Sequence, residues 1–273
     1  MLAQRLIVAI IFIPIGVFLI VTGGWALTAL VVAGLTYGAW EYWRMFTRGG
    51  YHPSAPILIG GVAAVILARH FAETPVAFFS VEFVLTLLVL LAMAVHLFGF
   101  EKGQNASAID FNITLGGVLY LGWLGSYLVM LRGLPDGSWW FLLVLPAVWI
   151  SDGAAYFVGS HYGRHKMSPR VSPNKSWEGY LGGVVAGAVG CMILAALWHL
   201  RAPAITPMKG LLLGLAVAAI TPLGDLGESM LKRGFGVKDT SHLLPGHGGI
   251  MDRIDSWLWA APIGYYLILY AFS

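Results

Sequence analysis

Apolar residues run along this chain in long blocks rather than in strict alternation with polar ones. Nine blocks approach the roughly 20 residues that a helix needs to cross a bilayer, centred near Ile13, Ala33, Ala64, Leu88, Leu121, Leu145, Val189, Ala216 and Tyr265. The pattern predicts an all-α polytopic integral membrane protein with about nine transmembrane helices. The third block is the weakest, because Pro56 starts it late and Arg69 ends it early. Trp and Tyr gather near several block ends (Trp40, Tyr42 and Trp43; Trp139 and Trp140; Trp257 and Trp259), as interfacial aromatics do. No alternation is long enough to suggest a barrel. Arg5 precedes the apolar run from Leu6 to Val21, but no A-x-A-like cleavage site follows and more apolar segments come directly after. That run is read as a retained first span, not a signal peptide.

Composition agrees. Of the 273 residues, 58% are hydrophobic and 11% charged, with a mean hydropathy of +0.79; soluble domains carry about 25% charged residues. The net charge of +3 is small, and no basic run with interleaved aromatics supports nucleic-acid binding. The single cysteine, Cys191, lies in an apolar stretch and reads as a small hydrophobe in a helix.

Charge placement adds orientation. With nine spans and the N-terminus inside, the inside segments hold twelve of the sixteen Lys and Arg residues, and the outside segments hold Arg69, Arg132, Arg201 and Lys209. This predicts a cytoplasmic N-terminus and an outside C-terminus, although cations that bind substrate would weigh in the same count. Seven of the thirteen acids fall between Asp152 and Asp255, all at inside ends of spans or in inside loops. With no internal repeat and no long linker, residues 1–140 read as transmembrane scaffold. Residues 141–273 read as the transmembrane region carrying a cytoplasmic-face site, within one continuous membrane domain.

The richest segment is Thr221–Ser256, TPLGDLGESMLKRGFGVKDTSHLLPGHGGIMDRIDS. Pro222 and Gly224 interrupt the end of the eighth span, since Pro lacks a backbone donor and Gly weakens a helix. Irregular backbone at membrane depth survives where it is buried in protein or lines a wet cavity, and Asp225 sits at this break. Asp225 and Glu228 share a helical face, as do Asp252 and Asp255. Such pairs could supply hard oxygen ligands to Mg²⁺, two ions about 4 Å apart suiting in-line attack at phosphorus. Lys232, Arg233, Lys238 and Arg253 would hold phosphates. Glu228 with Lys232 could equally be an ordinary helical pair. His247-Gly248-Gly249 is either a plain turn or a place where backbone N–H groups approach a phosphate.

Two more clusters lie upstream. In Ser172-Pro173-Asn174-Lys175-Ser176-Trp177-Glu178-Gly179, Ser176 could cap a helix beginning near Trp177. That helix start, with its hydroxyls and Lys175, would be either an anion site or a capped entry with a snorkelling lysine. In Ser151-Asp152-Gly153, Asp152 is either a packing hydrogen bonder or a site group. Glu41 and Arg44 could pair on one helix face, and Glu82 and His96 fall in span four; these read as interfacial or packing groups. His161, His165, His199 and His242 lack the spacing of a zinc site.

The run from Ser229 to Asp255, S-M-L-K-R, four residues, then K-D-T-S-H-L-L-P-G-H-G-G-I-M-D-R-I-D, resembles the C-terminal signature of the CDP-diacylglycerol synthase (phosphatidate cytidylyltransferase) family. S-P-N-K-S-W-E-G and S-D-G-A-A-Y-F-V-G resemble further family segments, whereas the first 140 residues match only in character. The resemblance implies that CTP and phosphatidate give CDP-diacylglycerol and pyrophosphate, with Mg²⁺ as cofactor, in the bacterial cytoplasmic membrane or an organelle membrane. It also implies a homodimer. Asp225, Glu228, Lys232 and Arg233 match the family's D-x-x-E-x-x-x-K-R part, and Lys238, Asp239, His247, Asp252, Arg253 and Asp255 match the rest.

On this basis Asp225, Asp252 and Asp255 are expected to bind metal, with Glu228 beside them. Lys232, Arg233, Lys238 and Arg253 are expected to bind phosphates, and Lys175 and Ser176, following Ser172, to contact CTP or the lipid phosphate. Asp239, His247, Gly248 and Gly249 complete the substrate-binding set. Other CTP-dependent lipid enzymes, such as a CDP-archaeol synthase or a polyprenol kinase, share parts of the pattern, but the complete H-G-G-x-x-D-R-x-D ending favours the diacylglycerol enzyme. A CDP-alcohol phosphotransferase is disfavoured because no Arg follows Asp152-Gly153 in the required pattern. A transporter would also use broken helices and intramembrane acids, but the charge here lies almost entirely in one half.

Overall fold

The structure is a computed structural model and describes residues 13–72, 80–241 and 248–272. Among the described residues the regular elements are helices and one two-stranded hairpin. In chain order the elements are α1 (Ile13–Thr22), α2 (Gly24–Arg48), α3 (Ala55–His70), α4 (Val81–Glu101), α5 (Ser107–Gly117), a π-helical turn (Val118–Trp123) and α6 (Leu124–Gly133). Then follow α7 (Gly137–Tyr162), β1 (Lys166–Ser168), β2 (Ser172–Ser176), α8 (Trp177–Trp198), α9 (Pro207–Ile220), α10 (Pro222–Gly234), α11 (Met251–Ile254) and α12 (Trp257–Ala271).

A helix covers each of the nine expected centres. Among the described residues five segments are long and apolar enough to cross a membrane: Val81–Glu101, Ser107–Gly133, Gly137–Tyr162, Trp177–Trp198 and Pro207–Gly234. Among the described residues the other apolar helices are shorter or more polar: Ala55–His70 is short, Ile13–Thr22 is described only from residue 13, and α2 carries Glu41, Arg44 and Arg48. The beginning of the expected first span, including Arg5, lies outside the described residues. The exposed side chains of α4 include Leu90, Met93, Leu97 and Phe98. A contiguous apolar face of this kind would be costly in water and suits hydrocarbon. The chain is an integral membrane protein.

The residues form two compact units, 1–130 with 235–253, and 131–234 with 254–273. In the first, α3 packs into a core of Val65, Ala68, Val81, Leu88 and Val118. Gly122, in the π-helical turn, permits close approach to α3, since a Cβ there would lie 3.1 Å from Val62 Cα. His96 is buried on α4 and hydrogen-bonds the Thr114 hydroxyl at 3.0 Å, a packing role as expected. Glu41 and Arg44, which could pair on one helix face, do not. Arg44 lies over the Trp40 ring instead, 5.0 Å from its centroid, and Glu41 turns inward.

In the second unit small residues bring helices together, as is common between helices in membranes. Gly179, Gly183, Gly187 and Cys191 recur every fourth residue along one side of α8 and are buried. A Cβ on Gly183 would stand 2.8 Å from Ser151 O of α7, and one on Gly187 2.6 Å from Ala218 Cβ of α9. Cys191 is buried in this seam, so the expected apolar role holds.

Candidate active site

The second unit brings parts of all three sequence clusters to one cavity of about 600 Å³. Its polar lining includes Asp152 from α7, Lys166 from β1, Lys175 and Ser176 from β2, Tyr180 from α8 and Asp225 from α10. Each is placed for a local reason. Ser176 ends β2 and caps α8, its hydroxyl accepting the Gly179 N–H at 3.2 Å. The helix starts at Trp177, as the sequence predicts. The five residues before it are not simply a helix entry: Ser172–Ser176 pair antiparallel with Lys166–Ser168. Pro173 is tolerated because a two-stranded hairpin leaves edges free of ladder bonds. Glu178 ties the preceding loop to α8, its carboxylate accepting the N–H groups of Arg164 and His165 and pairing with His165 Nδ1 at 2.6 Å.

The break expected at Pro222 is present. α9 ends at Ile220, and α10 starts at Pro222, where a proline costs no helical hydrogen bond. Asp225 lies in the first turn of α10. Its Oδ2 meets Lys175 Nζ at 2.6 Å, and its Oδ1 accepts the Ser229 hydroxyl at 3.3 Å. One turn further on, Glu228 is buried and pairs with Lys232 at 2.5 Å. The two side chains pair at helical spacing, but inside the protein rather than on its surface. Arg233 donates from Nε to the Val171 carbonyl at 3.5 Å, which links α10 to the hairpin. Neither Glu228, Lys232 nor Arg233 lines the cavity.

Asp255 belongs to the same unit. Gly224 packs directly against its backbone: a Cβ on Gly224 would lie 2.8 Å from the Asp255 carbonyl oxygen. Burial, and then the neighbouring Asp225, push the Asp255 carboxyl up to about 7. The Ser256 N–H, donating to its Oδ1 at 2.6 Å, and Lys232 pull the other way, and Asp152 adds a smaller push upward. Negative charge is thus crowded around Asp152, Asp225 and Asp255, with Lys175 and Lys232 offsetting part of it. Hard carboxylate oxygens in mutual repulsion suit a divalent cation, because the ion relieves the repulsion. Among the described residues no three His, Cys, Asp or Glu side chains converge to hold an ion by themselves. Mg²⁺ does not need three, since it is typically held by one or two carboxylates with water and phosphate oxygens. The donor set fits Mg²⁺.

The remaining predicted residues lie in the first unit. Lys238, Asp239 and Arg253 are exposed. Asp252 is half-buried, and its Oδ2 accepts the Thr240 N–H and hydroxyl, both at 3.0 Å, and the Gly249 N–H at 2.8 Å. Gly248 has φ of +81°, a conformation that favours glycine. His247 lies outside the described residues. Lys166, on the cavity, is not singled out by the sequence pattern, and Glu41 reads from it as an interfacial or packing group. Glu41 is fully buried beneath the signature segment and accepts hydrogen bonds from Thr240, Ser241, Ile250 and Met251. Its signal was an acid inside an apolar block, which by default marks function.

These features define a polytopic helical membrane protein with a charged, cation-suited cavity built where helices break or begin. The model of the cytidylyltransferase family matches residues 3–271. The phosphatidate cytidylyltransferase of Synechocystis sp. is 33% identical, with 97% of this chain and 96% of that protein covered. That of Bacillus subtilis is also 33% identical, over 97% of both, and that of Pseudomonas aeruginosa is 35% identical, over 96% of this chain and 95% of its own. The chain belongs to the cytidylyltransferase family.

Proposed function

We infer that the chain is a phosphatidate cytidylyltransferase, moving CMP from CTP to phosphatidate to give CDP-diacylglycerol and pyrophosphate. The near-full-length likeness to three bacterial proteins of that name carries this reading, and the cavity supplies compatible chemistry. A phosphate monoester loses its second proton near pH 6, so the phosphatidate oxygen attacks the α-phosphorus without a strong general base. Catalysis then rests on aligning two anions and neutralising the charge that builds between them.

The residues divide that work. Asp225, Asp252 and Asp255 are assigned to Mg²⁺, which when bound screens phosphate oxygens from one another. Lys175, beside Ser176 in the cavity wall, would hold a phosphate in the same cavity. Lys232, Arg233, Lys238 and Arg253 are assigned to phosphates. Glu228 orients Lys232, consistent with their close pair. Ser172, Asp239, His247, Gly248 and Gly249 complete the substrate contacts. Residues 1–140 act as scaffold, and residues 141–273 carry the site.

The reading includes nine spans with a cytoplasmic N-terminus, an active site on the cytoplasmic face of the bacterial inner membrane, and a homodimer. The excess of Lys and Arg in the proposed inside segments supports the orientation. The deciding experiment supplies purified protein in lipid with phosphatidate, CTP and Mg²⁺ and follows pyrophosphate and lipid product. Stoichiometric CDP-diacylglycerol that vanishes with EDTA is expected. Transfer from CTP to a different lipid phosphate or alcohol, with none to phosphatidate, would move the chain to a sister activity.

A further inference from the structure

Glu41 is the most completely enclosed acid in the first unit apart from Asp110, with 0% of its surface exposed. It sits in the second half of α2, about 200 residues from its partners in sequence. Its Oε1 accepts the Ser241 hydroxyl at 2.5 Å and the Ile250 N–H at 3.2 Å; its Oε2 accepts the Met251 N–H at 2.8 Å and, at 3.3 Å, shares the one Thr240 hydroxyl proton with Asp252 Oδ2. Two donors precede residues 242–247 and two follow them, so one carboxylate ties both flanks of the signature segment to α2. A buried carboxylate needs such donors to offset its desolvation. No ion pair to Glu41 occurs among the described residues.

The tie is sterically enforced. A Cβ on Gly249 would collide with both Thr240 Oγ1 and Glu41 Oε1, so glycine is required for the backbone to close over the carboxylate. The contact also reaches a proposed site residue. The Thr240 hydroxyl lies 3.0 Å from Asp252 Oδ2 and 3.3 Å from Glu41 Oε2, and the Gly249 N–H binds the same Asp252 oxygen. Glu41, Thr240 and Asp252 are thus one connected network.

We propose that Glu41 is a positioning residue of the transferase: it fixes both flanks of residues 240–251 and so sets the orientation of Asp252 and its neighbours Lys238, Asp239 and Arg253. This rests on the phosphatidate cytidylyltransferase reading above. It makes no contact with substrate itself and acts through the segment it holds. Glu41→Gln keeps the shape but confronts the Ile250 or Met251 N–H with an amide N–H, removing acceptors where only donors point.

The test compares wild type, Glu41→Gln and Thr240→Val in lipid by amide hydrogen exchange and by steady-state kinetics. Exchange at Ile250 and Met251 should rise at least tenfold in Glu41→Gln, while α8 and α9 stay protected. The kcat should fall at least tenfold, with KM for CTP within about twofold, because alignment rather than CTP capture is lost. The double variant should be no worse than about twofold below the poorer single one, since both act through one network. Unchanged exchange at Ile250 and Met251, or wild-type kcat with raised exchange, would overturn the proposal, as would activity lost only in proportion to folded protein. A wild-type protein that does not turn over phosphatidate would overturn the functional reading, and the exchange result would still decide whether Glu41 holds the segment.

Discussion

Lys175 Nζ lies 2.6 Å from Asp225 Oδ2, joining the end of β2 to the first turn of α10 in the wall of the charged cavity. The two side chains retain 26% and 36% of their exposure. A pair this accessible contributes only about 0–1 kcal/mol to stability. The proposed function gives the lysine a different use, as a charge for anionic substrates. Lys175→Met should therefore leave folding nearly intact, with the thermal midpoint shifted by about 4 °C at most. It should lower kcat/KM by about 100-fold, roughly 2.7 kcal/mol of transition-state stabilisation. Thermal melting and turnover measured on the same preparation check this, and a variant that loses stability and keeps activity would reverse the assignment.

Gly224 offers a case where two effects oppose each other. In a helix interior, alanine is favoured over glycine by about 1 kcal/mol. Here, however, the new Cβ would lie 2.6 Å from Trp259 Cδ1 and 2.8 Å from the Asp255 carbonyl oxygen. Overpacking costs about 1–3 kcal/mol, and a backbone carbonyl yields less readily than a flexible side chain. The steric cost should win. Gly224→Ala should lower the thermal midpoint and, by shifting Asp255 relative to Asp225, reduce turnover at least about tenfold, about 1.4 kcal/mol. A more stable and fully active variant would show that α10 and the start of α12 move apart freely.

How much of this was legible beforehand follows from the range of each interaction. Helix positions could be read because each apolar block is a local property; so could the Ser176 cap and the break at Pro222, which depend on one residue and its immediate neighbours. The hairpin escaped because Lys166–Ser168 and Ser172–Ser176 are short, polar and carry a proline, so only their pairing identifies them. For Asp152 the local sequence fits packing and site equally, and only the fold places it on the cavity. Local spacing suggested an ion pair between Glu41 and Arg44, whereas the carboxylate is committed to donors about 200 residues away. Nothing in the neighbourhood of residue 41 in the sequence encodes those partners.

Asp255 makes the pH dependence testable. Burial and then Asp225 raise its carboxyl from an ordinary value of 3.8 to about 7. Between those values the folded protein keeps a proton that the unfolded chain has released. Without divalent cation, this group's contribution to stability therefore declines as pH rises from about 4 to about 7 and is level above. A cation at this carboxylate must displace that proton. Apparent Mg²⁺ affinity, read from activity against Mg²⁺ concentration, should rise by up to about tenfold per pH unit below pH 7 and flatten above it. Asp255→Asn should remove this dependence along with most of the activity. An unchanged Mg²⁺ profile in that variant would remove Asp255 from the cation site.

The proposed metal role of Asp252 is separable by substitution from its hydrogen bonding. Its Oδ2 already accepts the Thr240 N–H and the Gly249 N–H and shares the Thr240 hydroxyl proton with Glu41. An asparagine can present its carbonyl oxygen to the same donors, so Asp252→Asn preserves the local fold while deleting the charge. Asp252→Ala deletes both and leaves donors unpaired, at a cost of about 1–3 kcal/mol where they are buried. If the carboxylate serves the cation, Asp252→Asn should fold, reach the membrane and lose about 1,000-fold in turnover, about 4 kcal/mol. The alanine variant should add a stability defect to the same loss. If Asp252 only shapes the segment around Gly249, the asparagine variant should stay within a few-fold of wild type and only alanine should fail. Turnover and thermal melting of the two variants side by side distinguish these outcomes, and near-normal activity in Asp252→Asn would leave Asp225 and Asp255 as the remaining carboxylates assigned to the metal.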